Sequence, residues 1–366
     1  MRDVNIRLLW SVLFAAAAVR CAADTAWVVH PGSSATKRTL LQICRSGQPC
    51  RLEADNFQKA GYPALRVYDR PGEVFAAINN NGLALIQMEG DPNRDPNPEL
   101  TSETHTGGRL LVMIADRCGD AKEAVAAVRA SVASGKFSGG CIYLIADARE
   151  AHVVECSPQH FSTWQLPHSF CVYANSWKLP GMDDASTADA ERAKTLYQRE
   201  WVVRHALRSA MLRGGGIAPE EACAVSRIDI AEAQKIATQK GKPPQPPVSA
   251  AVGDDSSSGA VLFEIDDKYP MLSCAYLALG HPRRTIYLPL PIGVAEEILA
   301  DDAFLDAAAN AKYSPEIEHS FFVNCAKARA AAKERLDHGD AAGAKKLLVD
   351  MVKQNLAALA APAGGK

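Results

Sequence analysis

Short apolar runs separated by turn residues dominate the first two thirds of the chain. Their length and their β-branched and aromatic residues predict strands rather than helices. Two of the runs are joined by Asn79-Asn80-Asn81-Gly82, whose Asn-Gly pair supplies the positive φ angles of a tight hairpin turn. We predict strands at 25–30, 39–43, 65–68, 74–78, 83–88, 141–147, 151–156, 161–166, 170–173, 260–265, 271–279 and 284–288.

Other stretches have apolar residues at helical spacing. We predict helices at 108–115, 121–134, 187–212 and 217–239, and a helical region from Pro315 onward with a break at 338–340. The proline-rich stretch 240–258 is predicted to be a loop. Strand hairpins followed by helices indicate an α+β fold with largely antiparallel sheets.

The N-terminus has the order of charges and apolar residues that is typical of a secretory signal. Arg2 and Arg7 precede the apolar run 8–19, and Cys21-Ala22-Ala23 follows it, so we expect cleavage before Asp24. Twelve apolar residues are too few to cross a bilayer. We therefore expect an exported protein, periplasmic or secreted, without an integral membrane span after signal removal. A buried N-terminal helix and lipoprotein processing at Cys21 are the alternatives.

Composition and missing motifs exclude several classes of partner and site. The 366 residues are 48% hydrophobic and carry a net charge of -2, so a nucleic-acid partner is not expected. Removal of the signal takes Cys21 away and leaves nine of the 10 Cys, which in an exported protein permits up to four disulfides and one odd thiol, with Cys44 and Cys50 as a local pair. No Cys-x-x-Cys spacing, Gly-rich phosphate loop or Gly-x-Ser-x-Gly motif is present. We expect neither a metal nor a cofactor, and the sequence leaves the oligomeric state open.

Six short motifs occur together in one order. They are Asp24-Thr25-Ala26-Trp27-Val28-Val29, Thr39-Leu40-Leu41-Gln42-Ile43-Cys44-Arg45, Ile78-Asn79-Asn80-Asn81-Gly82-Leu83, Ile142-Tyr143-Leu144-Ile145-Ala146-Asp147, Tyr173-Ala174-Asn175-Ser176 and Leu277-Ala278-Leu279-Gly280-His281-Pro282. As a set, across 24–295, they resemble the N-terminal-nucleophile (Ntn) hydrolases of linear amides, the group of choloylglycine hydrolase, penicillin V acylase and acyl-CoA:6-aminopenicillanate acyltransferase-like peptidases. The resemblance implies a four-layer αββα sandwich of two mainly antiparallel sheets.

In that family, processing exposes a Cys as the first residue. Its thiolate attacks the amide carbon, and its own α-amino group acts as the general base. Arg and Asp side chains on the second strand position the nucleophile, and Asn side chains hold the oxyanion.

Carried over residue by residue, the resemblance assigns Arg45 to the family Arg. It assigns Asn79 to the Asn-x-x-Gly-Leu turn and Asn175 to the Asn that follows a strand. This chain differs from the family pattern at the positions closest to the reacting group. Asp24 occupies the nucleophile position, and Ser46 occupies the position where Asp is expected. A carboxylate is a poor nucleophile toward amides, since its acyl product is an anhydride.

These residues lead to three alternatives for function. The first is an exported Ntn hydrolase-like protein that has lost catalysis and binds a small N-acyl amide or peptide-like ligand. The second is an active amidase or acyltransferase whose nucleophile, Cys21 or Thr25, arises from atypical processing. The third is an unrelated secreted α+β binding protein. In domain terms we expect a signal at 1–23, an Ntn hydrolase-like domain at 24–314 and a C-terminal helical extension at 315–366.

Overall fold

A computed structural model describes residues 24–47, 50–54, 61–70, 73–238, 252 and 257–360. The predicted signal 1–23 and most of the predicted loop 240–258 lie outside the described residues. The strands are β1 (Thr25–Val29), β2 (Thr39–Ser46), β3 (Arg51–Ala54), β4 (Ala64–Arg70), β5 (Glu73–Asn79), β6 (Ala84–Glu89), β7 (Cys141–Ala146), β8 (Ala151–Cys156), β9 (Phe161–Gln165), β10 (Phe170–Tyr173), β11 (Ser257–Ile265), β12 (Cys274–Ala278) and β13 (Leu288–Pro291).

The helices follow the same order along the chain. They are α1 (Gly107–Arg117), α2 (Ala121–Ala133), α3 (Ala190–Leu212), α4 (Pro219–Val225), α5 (Ile230–Thr238), α6 (Ala295–Ile298), α7 (Ala303–Asn310), α8 (Pro315–Asp337) and α9 (Ala341–Ala360).

The strands form two antiparallel sheets that pack face to face. The first sheet has the order β10-β1-β2-β11-β12-β13, and the second has the order β3-β4-β5-β6-β7-β8-β9. Contacts between β1 and β7 and between β2 and β6 join the two sheets. Helices α1 and α2 cover the outer face of the second sheet, and α3, α4, α8 and α9 cover the first. The α+β class and the two-sheet sandwich are therefore confirmed, in the layer order αββα.

Burial explains why the central strands read as continuous apolar runs. Every residue of β1 and of β2 is buried, because the facing sheet covers one side and helices cover the other. The inward-facing residues of both sheets form one continuous core, and a smaller core lies between the second sheet and α1 and α2. A polar side chain on β1 or β2 is therefore held in a dry environment.

Several sequence predictions differ from the structure. The predicted helix 217–239 is two helices, because Asp229 accepts a hydrogen bond from the Glu232 N–H and begins α5. The strand predicted at 284–288 lies later, at Leu288–Pro291, where its prolines are tolerated on an edge strand. Strand β3 and helices α6 and α7 were not predicted.

The expected disulfide between Cys44 and Cys50 is wrong. The nine cysteines of the described residues are all reduced thiols, and all are buried. The Cys44 thiol donates to the carbonyl oxygen of Val252, whereas Cys50 packs against Gly259, which pairs with Arg45. Adjacent strand residues point to opposite faces of a sheet, so the two thiols lie on opposite sides of β2.

Candidate functional site

The start of β1 meets the end of β2 at a buried ion pair. The register that pairs Thr25 with Cys44 brings Asp24 opposite Arg45. One carboxylate oxygen of Asp24 accepts from Arg45 Nη1, and the other accepts from the Ser46 N–H at 3.1 Å. The Asp24 side chain has no solvent exposure (0%), so both of its oxygens are held inside the protein.

Arg45 also connects the two sheets. Its Nε donates to Asp69 Oδ2 at 3.0 Å, its Nη2 donates to the same oxygen, and its guanidinium lies 5.2 Å from the centre of the Phe75 ring. Asp69 belongs to β4 and Phe75 to β5, both in the second sheet. One arginine therefore bridges two carboxylates across the inter-sheet core.

Burial and charge act in opposite directions at this corner. Burial raises the pKa of Asp24, and the Arg45 charge and the Ser46 hydrogen bond offset part of that rise. Burial also disfavours the charged form of Arg45, but Asp24 and Asp69 outweigh it and raise the pKa of the guanidinium. Burial raises the pKa of the nearby Cys50 thiol to about 12, so this thiol is not a nucleophile at neutral pH.

A cleft of about 510 Å³ opens beside Arg45. This volume lies within the range of small-molecule sites. Its walls come from the ends of β2, β4, β5 and β6, the following loop, the start of α1, the segment before β7 and helix α3. They include the charged and polar residues Arg45, Asp69, Glu73, Gln87, Glu89, Asp91, Asn93 and Arg192 and the apolar residues Val74, Pro92 and Leu100.

The first turn of α1 forms one wall of the cleft. A Cβ at Gly107 would lie 2.5 Å from Cys141 Sγ, and one at Gly108 would lie 2.6 Å from Glu73 Oε2. A side chain at Gly107 would displace the Cys141 thiol, and one at Gly108 would displace the Glu73 carboxylate, so the helix backbone approaches the cleft closely. The Thr106 side chain caps the helix.

Asn175 lies close to the cleft but does not line it. It follows β10, the strand that pairs with β1, and has a positive φ of 55°. Its Nδ2 donates to the carbonyl oxygen of Glu89 at 2.8 Å, and Glu89 lines the cleft. The structure thus brings Asn175 to the same region as Asp24 and Arg45, in a contact that positions the end of β6.

The structure corrects the placement of Asn79. This residue ends β5, whereas Glu73 at the other end of that strand lines the cleft. Both hydrogens of the Asn79 amide are donated, to the carbonyl oxygens of Ala115 and Cys118, and its Oδ1 accepts from two backbone N–H groups of the turn. Asn79 therefore forms the turn and anchors α1, and it has no free N–H for an oxyanion.

Asp69 is the member of the site that sequence reasoning missed. Leu65 and Val67 of the same strand are core residues, and Asp69 is the next alternate position and is also buried. A carboxylate that continues an apolar alternation requires a buried partner, which here is Arg45. That alternation was the signal available in the sequence.

A second polar cluster joins Asp95, Ser157 and His160, the residue types of a hydrolytic triad. Ser157 Oγ donates to Asp95 Oδ2, and His160 Nδ1 lies 2.9 Å from the same oxygen. The serine therefore bonds to the carboxylate rather than to the imidazole that would have to accept its proton. We interpret the cluster as a structural anchor of the segment 157–160.

No group of three or more His, Cys, Asp or Glu side chains is arranged to hold a metal ion in the part of the chain that the structure describes. Among the same residues, no helix is long and apolar enough to cross a membrane.

Comparisons with known proteins give structural likeness only. No family model matches the sequence, and no curated protein matches it. Penicillin V acylase from Agrobacterium tumefaciens aligns with a TM-score of 0.40 and 8% identity, over 74% of this chain and 86% of that one. Two single-substitution variants of conjugated bile acid hydrolase from Clostridium perfringens align with TM-scores of 0.43 and 0.42 and identities of 11% and 10%. Each alignment covers 74% of this chain and 92% of that one.

Proposed function

We propose that the chain is an exported protein of the linear-amide Ntn hydrolase kind, whose cleft binds a small N-acyl amide or peptide-like ligand without cleaving it. The observation that carries this proposal is the state of Asp24. Its side chain is fully buried, and both of its oxygens accept hydrogen bonds, one from Arg45 and one from the Ser46 backbone. A carboxylate held in this way is screened from the cleft and has no means of attacking an amide.

The cleft supports the binding part of the proposal. The Gln87 amide and the first turn of α1 place polar groups along one side, while Val74, Pro92 and Leu100 offer apolar contact. A ligand with an amide group and a small apolar acyl group matches both kinds of surface. Leu100 is exposed (73%) at the rim and can cover such an acyl group.

The alternative of an active amidase needs another nucleophile. Thr25 pairs with Cys44 and so faces the same side of the first sheet as Gln42, which donates to the Tyr287 hydroxyl beneath the helices. The Thr25 hydroxyl is therefore directed away from the cleft. Cys21 lies outside the described residues. The third alternative, an accidental match, predicts no cavity at residue 24. Arg45 binds Asp24 and lines the cleft, which favours the first two alternatives. Asp24, Asn79 and Asn175 do not line the cleft, so the full convergence that those two alternatives predict is not met.

The deciding experiment has two parts. Intact mass of the protein recovered from an exporting host should show a chain that begins at Asp24. That protein should bind members of a panel of N-acyl amino acids and dipeptides by calorimetry, with no product by mass spectrometry. Turnover, or covalent labelling of Cys21 or Thr25 by an electrophile, would establish the active alternative. Absence of binding across the panel would contradict the binding role.

A gain-of-function variant provides the complementary test. Asp24→Cys combined with Ser46→Asp restores the two family residues, and we expect measurable amide hydrolysis if processing leaves residue 24 at the N-terminus. Asp24→Ala with Ser46→Asp is the matched control, because it lacks a thiol. A folded, correctly processed double variant that remains inert over the panel would show that the cleft has diverged beyond this chemistry.

A further inference from the structure

Two buried thiols face each other where the C-terminal helices meet the first sheet. Cys274 begins β12 and Cys325 lies in the middle of α8, 51 residues later. Their sulfur atoms are 3.7 Å apart and share a hydrogen bond, and both residues have 0% exposure. The proposed function gives these thiols no role.

The helix is fixed to the sheet on both sides of Cys325. One turn before it, Phe322 stacks on Tyr276 of β12 with ring centres 4.8 Å apart. One turn after it, Arg329 forms a buried ion pair with Glu264 of β11. These contacts hold one face of α8 against the strands, so the two sulfurs cannot drift apart without undocking the helix.

The docked surroundings affect the pKa values of the two thiols differently. The hydrogen bond from Cys274, aided by the charge of Arg329, lowers the pKa of Cys325 against the effect of burial. Burial raises the pKa of Cys274 well above its ordinary value. In the docked helix Cys325 therefore has the more acidic thiol, but an external disulfide reaches either thiol only when α8 is undocked, and there either can be the attacking group.

We propose that Cys274 and Cys325 form a disulfide that fastens the helical hairpin α8–α9 to the first sheet. The oxidant is an external disulfide, such as oxidised glutathione or a disulfide-bonded protein of the exporting compartment. The thiolate of one cysteine attacks that disulfide and releases the first thiol, and the other cysteine then displaces the second thiol from the mixed disulfide. The chain loses two electrons and two protons, and the donor gains them as two thiols.

Formation of the bond requires the two sulfurs to move from 3.7 Å to the bonding distance of about 2.0 Å. Because neither sulfur is exposed, exchange takes place before α8 finishes docking, or when the hairpin opens transiently.

Peptide mapping tests the proposal directly. Trypsin releases Cys274 in the peptide 269–283 and Cys325 in the peptide 313–327, and each peptide contains a single cysteine. The full chain is prepared in two ways, by export and by equilibration of reduced protein with a glutathione redox buffer, and is then alkylated under denaturing conditions. We expect the two peptides to be linked in both preparations. The glutathione preparation does not require export, so it tests the disulfide even if the proposed export and ligand binding are wrong.

Thermal unfolding provides a second readout. Closing a loop of this length is worth about 5 °C in Tm for a chain of this size, so reductant should lower the Tm of the oxidised protein by that amount. The variant Cys274→Ala/Cys325→Ala should show no response to reductant, whereas Cys223→Ala should respond like the parent chain. Free, alkylatable thiols at both positions in both preparations, or a bridge between other cysteines instead, would overturn the proposal.

Discussion

Removal of the positive charge at the Asp24–Arg45–Asp69 corner should destabilise the protein strongly. In Arg45→Met, two carboxylates that are 0% and 6% exposed lose their shared counter-charge, while the methionine keeps most of the side-chain volume. Removal of one partner of a buried ion pair lowers the free energy of unfolding by about 3–5 kcal/mol. For a chain of this length, that cost corresponds to roughly 4–7 °C in Tm.

The control for this variant is Arg66→Met. Arg66 forms an ion pair with Asp116, whose side chain is 38% exposed, so water can solvate the carboxylate that is left behind. Loss of a pair of this kind costs up to about 1 kcal/mol. Differential scanning calorimetry at pH 7 should therefore separate the two variants clearly, and adding Asp24→Asn to Arg45→Met should recover part of the loss.

The pH dependence of the Tm loss in Arg45→Met shows whether an unpaired Asp24 carboxylate causes it. The raised pKa of Asp24 means that its ionisation opposes folding at neutral pH, and Arg45 reduces this penalty. In Arg45→Met the pKa of Asp24 rises further, so the variant regains stability as the pH falls through that pKa and the carboxyl becomes neutral. The Tm difference from the parent chain should thus be largest at pH 7–8 and should shrink toward pH 5. A difference that stays constant over this range, or that is no larger than that of Arg66→Met, would refute the reasoning.

Three further outcomes follow from single residues. Burial raises the pKa of Glu155 to about 7, so its ionisation removes stability as the pH rises from about 4.5 to above 7, and Glu155→Gln should flatten the fall in Tm between pH 5 and pH 8. Asn79→Ala loses the hydrogen bonds of its turn, about 2–4 kcal/mol in total, and should lower Tm while the affinity for cleft ligands is unchanged in calorimetry. Leu100→Ala should weaken binding of N-acyl ligands about 3–10-fold without changing Tm, because the side chain is exposed at the cleft rim.

Local patterns predicted the sheets well because both faces of the central strands are covered. A continuous apolar run such as β2 is recognisable from sequence, and so is the turn that Asn79 forms. Strand β3 was missed because its residues, Arg51–Ala54, alternate charge and apolarity over only four positions. The break between α4 and α5 depends on one capping side chain, Asp229, within a stretch of helical periodicity.

The site was less predictable than the fold because it depends on contacts between distant strands. The resemblance pointed to Arg45 and Asp24, whereas Asp69 reaches Arg45 only across the inter-sheet core. Asn79 matches the family motif, but it lies at the end of β5 that is far from the cleft, and its amide is hydrogen-bonded within the turn. The contacts that complete the site depend on the packing of the two sheets, which local sequence patterns do not predict.

Charge links the residue types at positions 24 and 46, where this chain departs from the pattern that the resemblance implies. The resemblance expects Cys at 24 and Asp at 46, and this chain has Asp and Ser there. The Ser46 N–H donates to Asp24, so a carboxylate at position 46 would stand next to one that is already buried, with Asp69 as a third beside a single arginine. Like charges in a dry environment repel, which makes Ser46 the compatible partner of Asp24.

A double-mutant cycle tests this link. Ser46→Asp should lower Tm more than its neutral counterpart Ser46→Asn in the parent chain, and that excess should disappear in an Asp24→Ser background. Coupling between neighbouring groups is typically about 0.5–3 kcal/mol, which calorimetry resolves. An excess that persists without the Asp24 carboxylate would show that position 46 rejects Asp for its shape or its burial. The residue types at positions 24 and 46 would then be independent of each other, and repulsion between carboxylates beside Arg45 would not explain why Ser46 accompanies Asp24.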